Sequence, residues 1–334
     1  MRGHRSLAKA LAGATAGLVF TLVLAAANGA SAQTAVKADT AGSPTWFGAL
    51  PIMVAVDKGY FKEQGLDVEY KVILNSSDRV RAVTSGDIVW SNLGRVAVIA
   101  EMARGNTSFY FFANVDDSPG NEGCWARPGF NSFQDLKGKK IAANASAEVT
   151  LNGLLQLAGM TVKDIQYLNL APNEMAGAIA KGDIDAACVW QPLLEGVKAA
   201  APGGKLLGLD SDTAIGKQFG TMAAPDIVII SRKFVDGNPA AAGKLAAALL
   251  KGADYTNSNL DDTAATVAHY FKKEPSEVAA GAKSFKYFGA RDWQTHMKMH
   301  TEQMQVLADW MYENKKIDTK IDVTKWVNTS FVPK

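Results

Sequence analysis

Two stretches of the chain repeat one device. Arg79-Val80-Arg81-Ala82-Val83-Thr84-Ser85-Gly86-Asp87-Ile88-Val89-Trp90 and Met175-Ala176-Gly177-Ala178-Ile179-Ala180-Lys181-Gly182-Asp183-Ile184-Asp185-Ala186-Ala187-Cys188-Val189-Trp190 each read as a helix, then Gly-Asp-Ile, then an apolar run ending in tryptophan. The glycine suits the left-handed position just past a helix end. The apolar residues suit a strand covered on both faces. A chain that builds this junction twice is an α/β protein of two lobes, and a cleft between lobes is where a small ligand sits. The same junction recurs in unrelated α/β proteins, so the repeat alone speaks for the class and not for the function.

The remaining pattern agrees. Leu50 to Gly59 reads as a helix with Pro51 in its first turn. Leu66 to Val72 alternates like a half-buried strand; Asp78 to Ser85 is a helix, Ile88 to Ser91 a strand, Val96 to Arg104 a helix and Thr107 to Asn114 an aromatic-rich strand. Val36-Lys37-Ala38-Asp39-Thr40 is too polar to read as a strand. Ser118-Pro119-Gly120-Asn121 marks a break, after which the alternation restarts. A strand enters at Ile141-Ala142, followed by a helix from Ala147 to Ala158, a strand from Ile165 to Leu170, a helix from Asn173 to Lys181 and a strand from Ile184 to Trp190. Ile227 to Ser231 is a further strand, and from Asn238 the chain is mostly helical.

The first residues read as a targeting segment. Arg2, Arg5 and Lys9 precede an apolar stretch from Leu11 to Ala27, and Ala30-Ser31-Ala32 is a small-residue exit, so residues 1–32 are expected to be a signal peptide cut after Ala32. Cleavage would leave 302 of the 334 residues and lower the formal charge from +2 to −1. There is no basic stripe or acidic tail, so no nucleic-acid partner is expected. Cys124 and Cys188 are the only cysteines. Both sit in strand-like surroundings, and an exported chain with two cysteines either bonds them or buries two free thiols. His296-x-x-x-His300 has helical spacing for a metal, but no third ligand is evident, and an exposed helix face is the expectation. Trp293, Met304, Leu307, Trp310 and Met311 fit the apolar stripe of that helix.

Five stretches resemble the periplasmic solute-binding proteins of nitrate/sulfonate/taurine ABC importers, in pattern the taurine binders most. They are Val56-Asp57-Lys58-Gly59-Tyr60-Phe61-Lys62-Glu63-Gln64-Gly65-Leu66-Asp67-Val68; Ser85-Gly86-Asp87-Ile88 running to Asn92-Leu93-Gly94; Asp135-Leu136-Lys137-Gly138-Lys139-Lys140-Ile141-Ala142; Lys181-Gly182-Asp183-Ile184-Asp185-Ala186 with Val189-Trp190-Gln191-Pro192; and Ala224-Pro225-Asp226 with Arg232-Lys233-Phe234. The resemblance implies the two-lobed type II periplasmic-binding-protein fold. Residues 33–121 and 224–334 would form lobe one, and residues 122–223 lobe two. It also implies a periplasmic monomer without enzyme activity, cofactor or metal. Such a protein closes on a small solute and presents it to a membrane permease and its ATPase, touching the membrane only there.

The resemblance also nominates ligand-binding residues. In the loop from Gly42 to Phe47, Trp46 and Phe47 would face the ligand or pack in the core. Asn92 and Gly94 precede a helix whose start would offer N–H groups to an anion, and Arg95 stands where sulfonate binders have small hydroxyl residues. Ser146 would hold an acid group, while Glu148 either stabilises its helix start or faces a cation. Glu122 matches an acid near the hinge, Asp226 an acid that pairs with the ammonium in taurine binders, and Trp190 the tryptophan that closes the pocket. Three acids against one base point to an amine-bearing ligand, a taurine-like zwitterion or a guanidinium or other cationic amine. The alternatives are a sulfonate, nitrate or thiamin-precursor binder, or a desulfinase-like enzyme using a cysteine nucleophile.

Overall fold

The two echoing segments occupy the same place in two sheets. The structure, a computed structural model, describes residues 34–334; the expected signal peptide lies outside the described residues. The strands are β1 (Val36–Lys37), β2 (Thr40–Gly42), β3 (Leu66–Asp67), β4 (Tyr70–Val72), β5 (Trp90–Leu93), β6 (Phe109–Ala113) and β7 (Asp116–Asp117). They continue with β8 (Glu122–Ala126), β9 (Lys140–Ala143), β10 (Gln166–Asn169), β11 (Ala186–Trp190), β12 (Lys205–Leu209), β13 (Ile227–Ser231) and β14 (Lys286–Tyr287).

The first five-stranded sheet runs β4-β2-β5-β13-β6 and the second β10-β9-β11-β8-β12. Both follow one plan. Three parallel strands are joined by an antiparallel fourth, and the fifth is antiparallel to the fourth. The echoing segments supply β5 and β11, the middle strand of each sheet. Gly86 and Gly182 stand past the preceding helices at φ 88° and 77°, a region that favours glycine.

The apolar runs go where their composition requires. Ile227, Val228, Ile229 and Ile230 of β13 are fully buried between β5 and β6, covered on both faces. The helix Trp293–Glu313 lays Trp293, Met297, Met304, Leu307 and Met311 on the first sheet's core. The helix Ala147–Leu157 buries Ala147, Leu151, Leu154 and Leu155 in the second. Among the described residues no helix is long and apolar enough to cross a membrane.

The polar opening stretch, too polar to read as a strand, forms two. Val36–Lys37 pairs with β3, and Thr40–Gly42 is the buried neighbour of β5. Its polar residues are satisfied by groups distant in sequence. Asp39 accepts from Lys71 Nζ at 3.1 Å and from the Glu69 amide at 3.2 Å, and the Thr40 hydroxyl donates to the Trp90 carbonyl at 2.9 Å. Leu66 to Val72 is likewise two strands: β3 pairs with β1 and β4 with β2.

Candidate ligand-binding site

A cavity of about 260 Å³ lies between the two sheets, and its wall is made where strands end. Ser43 follows β2, Leu74 to Ser76 follow β4, and Gly94 to Val96 follow β5. Across the gap Asn144 and Ser146 follow β9, Ala171 to Asn173 follow β10, and Trp190 ends β11. Glu122 opens β8 and Asp226 precedes β13. In α/β sheets the carboxyl ends of parallel strands are where loops are free to take ligands. Here two such rims face each other.

Arg79 is the cation of this wall. It stands in the first turn of the helix Ser76–Ser85 and is buried. Its Nη1 donates to the carbonyls of Ile73 at 2.6 Å and Leu74 at 3.1 Å, and its Nη2 to the Ser76 hydroxyl at 3.1 Å. Nη2 also lies 3.9 Å from an Asp226 oxygen, while Nε has no partner. Burial lowers the pKa of this guanidinium. Asp226 accepts from the Asn92 side chain at 3.1 Å, which puts Asn92 behind the wall as the carboxylate's support. Burial pushes Asp226 up to about 6, against the pull of Arg79 and Arg95.

Glu122 is the second acid. It is only 4% exposed, and its Oε1 has no hydrogen-bond partner. Burial pushes its carboxyl up to about 7, against the pull of the Thr150 hydroxyl. The register puts Glu122 directly opposite Trp190, whose Nε1 donates 3.1 Å to the Thr45 carbonyl across the gap. That bond closes one end of the cavity. The Ser43 and Thr45 hydroxyls lie 2.9 Å apart in the same wall. Trp46 lines the cavity while packing edge-on against Phe285, ring centroids 4.8 Å apart.

Besides Asn92, three further expected ligand contacts are placed elsewhere. The Phe47 ring packs in the core against Phe271 and Phe285 at 5.1 Å and 6.1 Å, because the turn of helix Phe47–Ala49 carries it inward. The Glu148 carboxylate pairs with Lys316 Nζ; its position at a helix start is common to both readings made from the sequence, but a cation of the chain itself meets it. Arg95 touches the cavity wall, but its guanidinium is fully buried behind it. There Nε donates to the Pro225 carbonyl at 3.0 Å, and Nη2 to the Asn114 side chain at 3.0 Å and to His300 Nδ1. His300 is therefore buried rather than on an exposed face. An arginine can only donate, so Nδ1 accepts, and burial with the adjacent guanidinium holds the imidazole neutral, its pKa well below the usual value.

The charge balance changes accordingly. Glu148 leaves the cavity and Arg79 enters its wall beside Arg95, whose guanidinium is turned to Pro225, Asn114 and His300; both arginines act on Asp226, and neither is paired with Glu122. Arg79 escaped sequence reasoning because it lies inside a helical pattern. One signal was present: a basic side chain in the first turn opposes the helix dipole and calls for a fixed partner.

A family model described as NMT1/THI5 like matches residues 46–263. The chain belongs to this family. A protein of Brucella abortus (strain 2308) named as a binding protein is 28% identical over 243 residues, spanning 72% of this chain and 73% of that one. The taurine-binding periplasmic protein of Escherichia coli (strain K12) is 29% identical over 196 residues, spanning 57% and 58%. Among solved structures, the periplasmic aliphatic sulphonate binding protein SsuA of Escherichia coli superposes with a TM-score of 0.71 at 18% identity, covering 90% of this chain and 94% of that one. The desulfurization enzyme DSZB shares the architecture too, at TM-score 0.62 and 16% identity, over 89% and 97%. The NMT1/THI5-like chain thus has the type II periplasmic-binding-protein fold.

Within this family member, Gly94 gives a direct test of the cavity. A methyl there would come 3.3 Å from the Ser76 hydroxyl, 3.5 Å from that of Ser146 and 3.9 Å from Asp226 Oδ1. The backbone at Gly94, φ −62° and ψ 136°, suits any residue. Gly94→Ala is therefore expected to leave thermal melting nearly unchanged while weakening solute binding about tenfold or more, as titration calorimetry would read. Native-like affinity would place the solute away from this wall.

Proposed function

We propose that the protein is the extracytoplasmic solute-binding component of an ABC importer, acting as a periplasmic monomer that captures a small amine-bearing solute and delivers it to its permease. The named relatives support the transport role. In this reading residues 33–121 with 224–334, and residues 122–223, are two lobes that close on the solute as hinged bodies.

The observation that carries the amine is Glu122, a buried carboxylate on the cavity wall that no cation among the described residues meets, with only the Thr150 hydroxyl beside it. An ammonium or guanidinium satisfies it; a nitrate or bare alkylsulfonate would bring a second negative charge beside it. Arg79 and the hydroxyls of Ser43, Thr45, Ser76 and Ser146 could accept an acid group at the other end of a zwitterion. An enzyme acting through a cysteine nucleophile is disfavoured, because Cys124 and Cys188 are bonded to each other and buried.

The pH dependence follows from the same group. Only ionised Glu122 holds an ammonium, and with a free-protein pKa of about 7 its ionised fraction rises roughly tenfold from pH 6 to pH 8. Asp226, at about 6, adds a factor of about two over that range. Affinity for the amine-bearing solute should therefore climb with pH, and Glu122→Gln should weaken it and flatten the climb. A calorimetric series with taurine, ethanesulfonate, nitrate, guanidinium and small amines at pH 6, 7 and 8 tests this. Tighter binding of nitrate or ethanesulfonate than of every amine would overturn the reading.

A further inference from the structure

We propose that Glu148, Gln156, Lys316, Asn314 and Trp310 form a clasp outside the cavity that sets solute affinity by holding the two sheets together. The helix Ala147–Leu157 belongs to the second sheet's core and the helix Trp293–Glu313 to the first. Their polar faces meet. The Glu148 carboxylate pairs with Lys316, both side chains about three-quarters or more buried, at 18% and 26% exposure. Eight residues further along, the Gln156 amide donates to Asn314 Oδ1 at 3.0 Å and accepts from Trp310 Nε1 at 3.3 Å. Asn314 in turn donates to the Trp310 carbonyl at 2.8 Å, so the ring of bonds is closed. Lys316 is held in place by its amide, which donates to the Met311 carbonyl at 2.7 Å, and Met311 is in the first core. Val149, between the two polar contacts, is buried in that same core.

The clasp reaches the cavity through one turn of helix. Ser146 lies in the cavity wall two residues before Glu148, and Asn144, also in the wall, accepts from the Ala147 amide at 2.9 Å. Holding Glu148 therefore holds the wall that faces Gly94. A solute that binds the closed form has an apparent affinity proportional to the closed fraction, so contacts made only in the closed form act on affinity without touching the solute. A mostly buried ion pair is screened less by water than an exposed one, and breaking it leaves a charge without its partner. These are positioning residues. The inference rests on closure of the two lobes, as proposed above.

The test uses Lys316→Met, Gln156→Leu, Glu148→Lys and the charge-swapped Glu148→Lys/Lys316→Glu pair. Each single variant is expected to bind the screened solute about three- to tenfold more weakly through faster dissociation, with association little changed. The swapped pair should recover most of the loss, which a merely misfolded helix would not. Solute-free small-angle scattering should show a larger radius of gyration in the single variants than in the native protein and the swapped pair. Unchanged dissociation in all single variants, or a swapped pair as weak as they are, overturns the clasp. If the native protein binds nothing in the screen, the proposed function fails. The scattering arm still decides the clasp: larger radii in the single variants support it and identical radii overturn it.

Discussion

Arg79→Met is expected to lower stability by about 3–5 kcal/mol at pH 8 and to abolish measurable solute binding. Two costs combine. The Ile73 and Leu74 carbonyls and the Ser76 hydroxyl lose a donor, and Asp226 loses the nearer of the two guanidinium groups that offset its burial. The second cost depends on pH, and its sign is fixed. The Asp226 carboxyl titrates at about 6 in the fold against a reference value of 3.8, so this group's contribution to stability improves as pH falls through about 6 towards 3.8. Without Arg79 the folded value moves higher still, and the improvement on acidification is larger. The gap between variant and native protein should therefore narrow from pH 8 to pH 5, leaving the part due to lost hydrogen bonds. Urea unfolding at both pH values measures it. A gap of equal size at the two would mean that Arg79 acts on the backbone alone and that its charge is irrelevant to Asp226.

What the sequence carried well was periodicity. The Gly-Asp-Ile junctions at Gly86 and Gly182 lead into the middle strands of the two sheets, and Ile227 to Ser231 is a strand with the bounds read from its apolar run. In the stripe of Trp293, Met304, Leu307, Trp310 and Met311, four pack as the spacing implies, and Trp310 is half-buried at the edge, its indole on Gln156. These features depend on neighbours within one element. The site depends on partners far along the chain. Lys316, 168 residues from Glu148, decides which way that carboxylate turns, and His300, 205 residues from Arg95, helps to draw that guanidinium behind the wall. A count of acids and bases near strand ends could place Glu122 and Asp226 at the cavity but not remove Glu148 from it. The Thr40–Gly42 strand was hidden for the same reason, since Lys71 and Trp90 make its polar residues tolerable in a buried position.

Removing the Cys124–Cys188 bond is expected to cost about 2–4 kcal/mol, near the value of ~4 kcal/mol that loop-closure entropy assigns to its span. The two cysteines are 64 residues apart and directly opposite on β8 and β11, so the bond ties a loop that carries β9 and β10, and with them most of the second sheet. Both are fully buried, so alanine is the appropriate replacement; serine would add two buried hydroxyls in need of partners. The Cys124→Ala/Cys188→Ala protein should unfold at lower urea than the native one, and dithiothreitol should shift the native transition towards it while leaving the variant unmoved. Binding should weaken as well, by a route that stability alone does not explain. Glu122 and Trp190 are paired in the same two strands, two residues from the bond on each side, so loosening β8 against β11 frees the unpartnered carboxylate and the tryptophan that closes the cavity at once. If the reduced protein unfolds at the same urea concentration as the oxidised one, the bond does not constrain this sheet. The bond would then be no harder to reduce in the fold than in the unfolded chain, and a test for sulfinate hydrolysis by the reduced protein would show whether the freed thiols do chemistry.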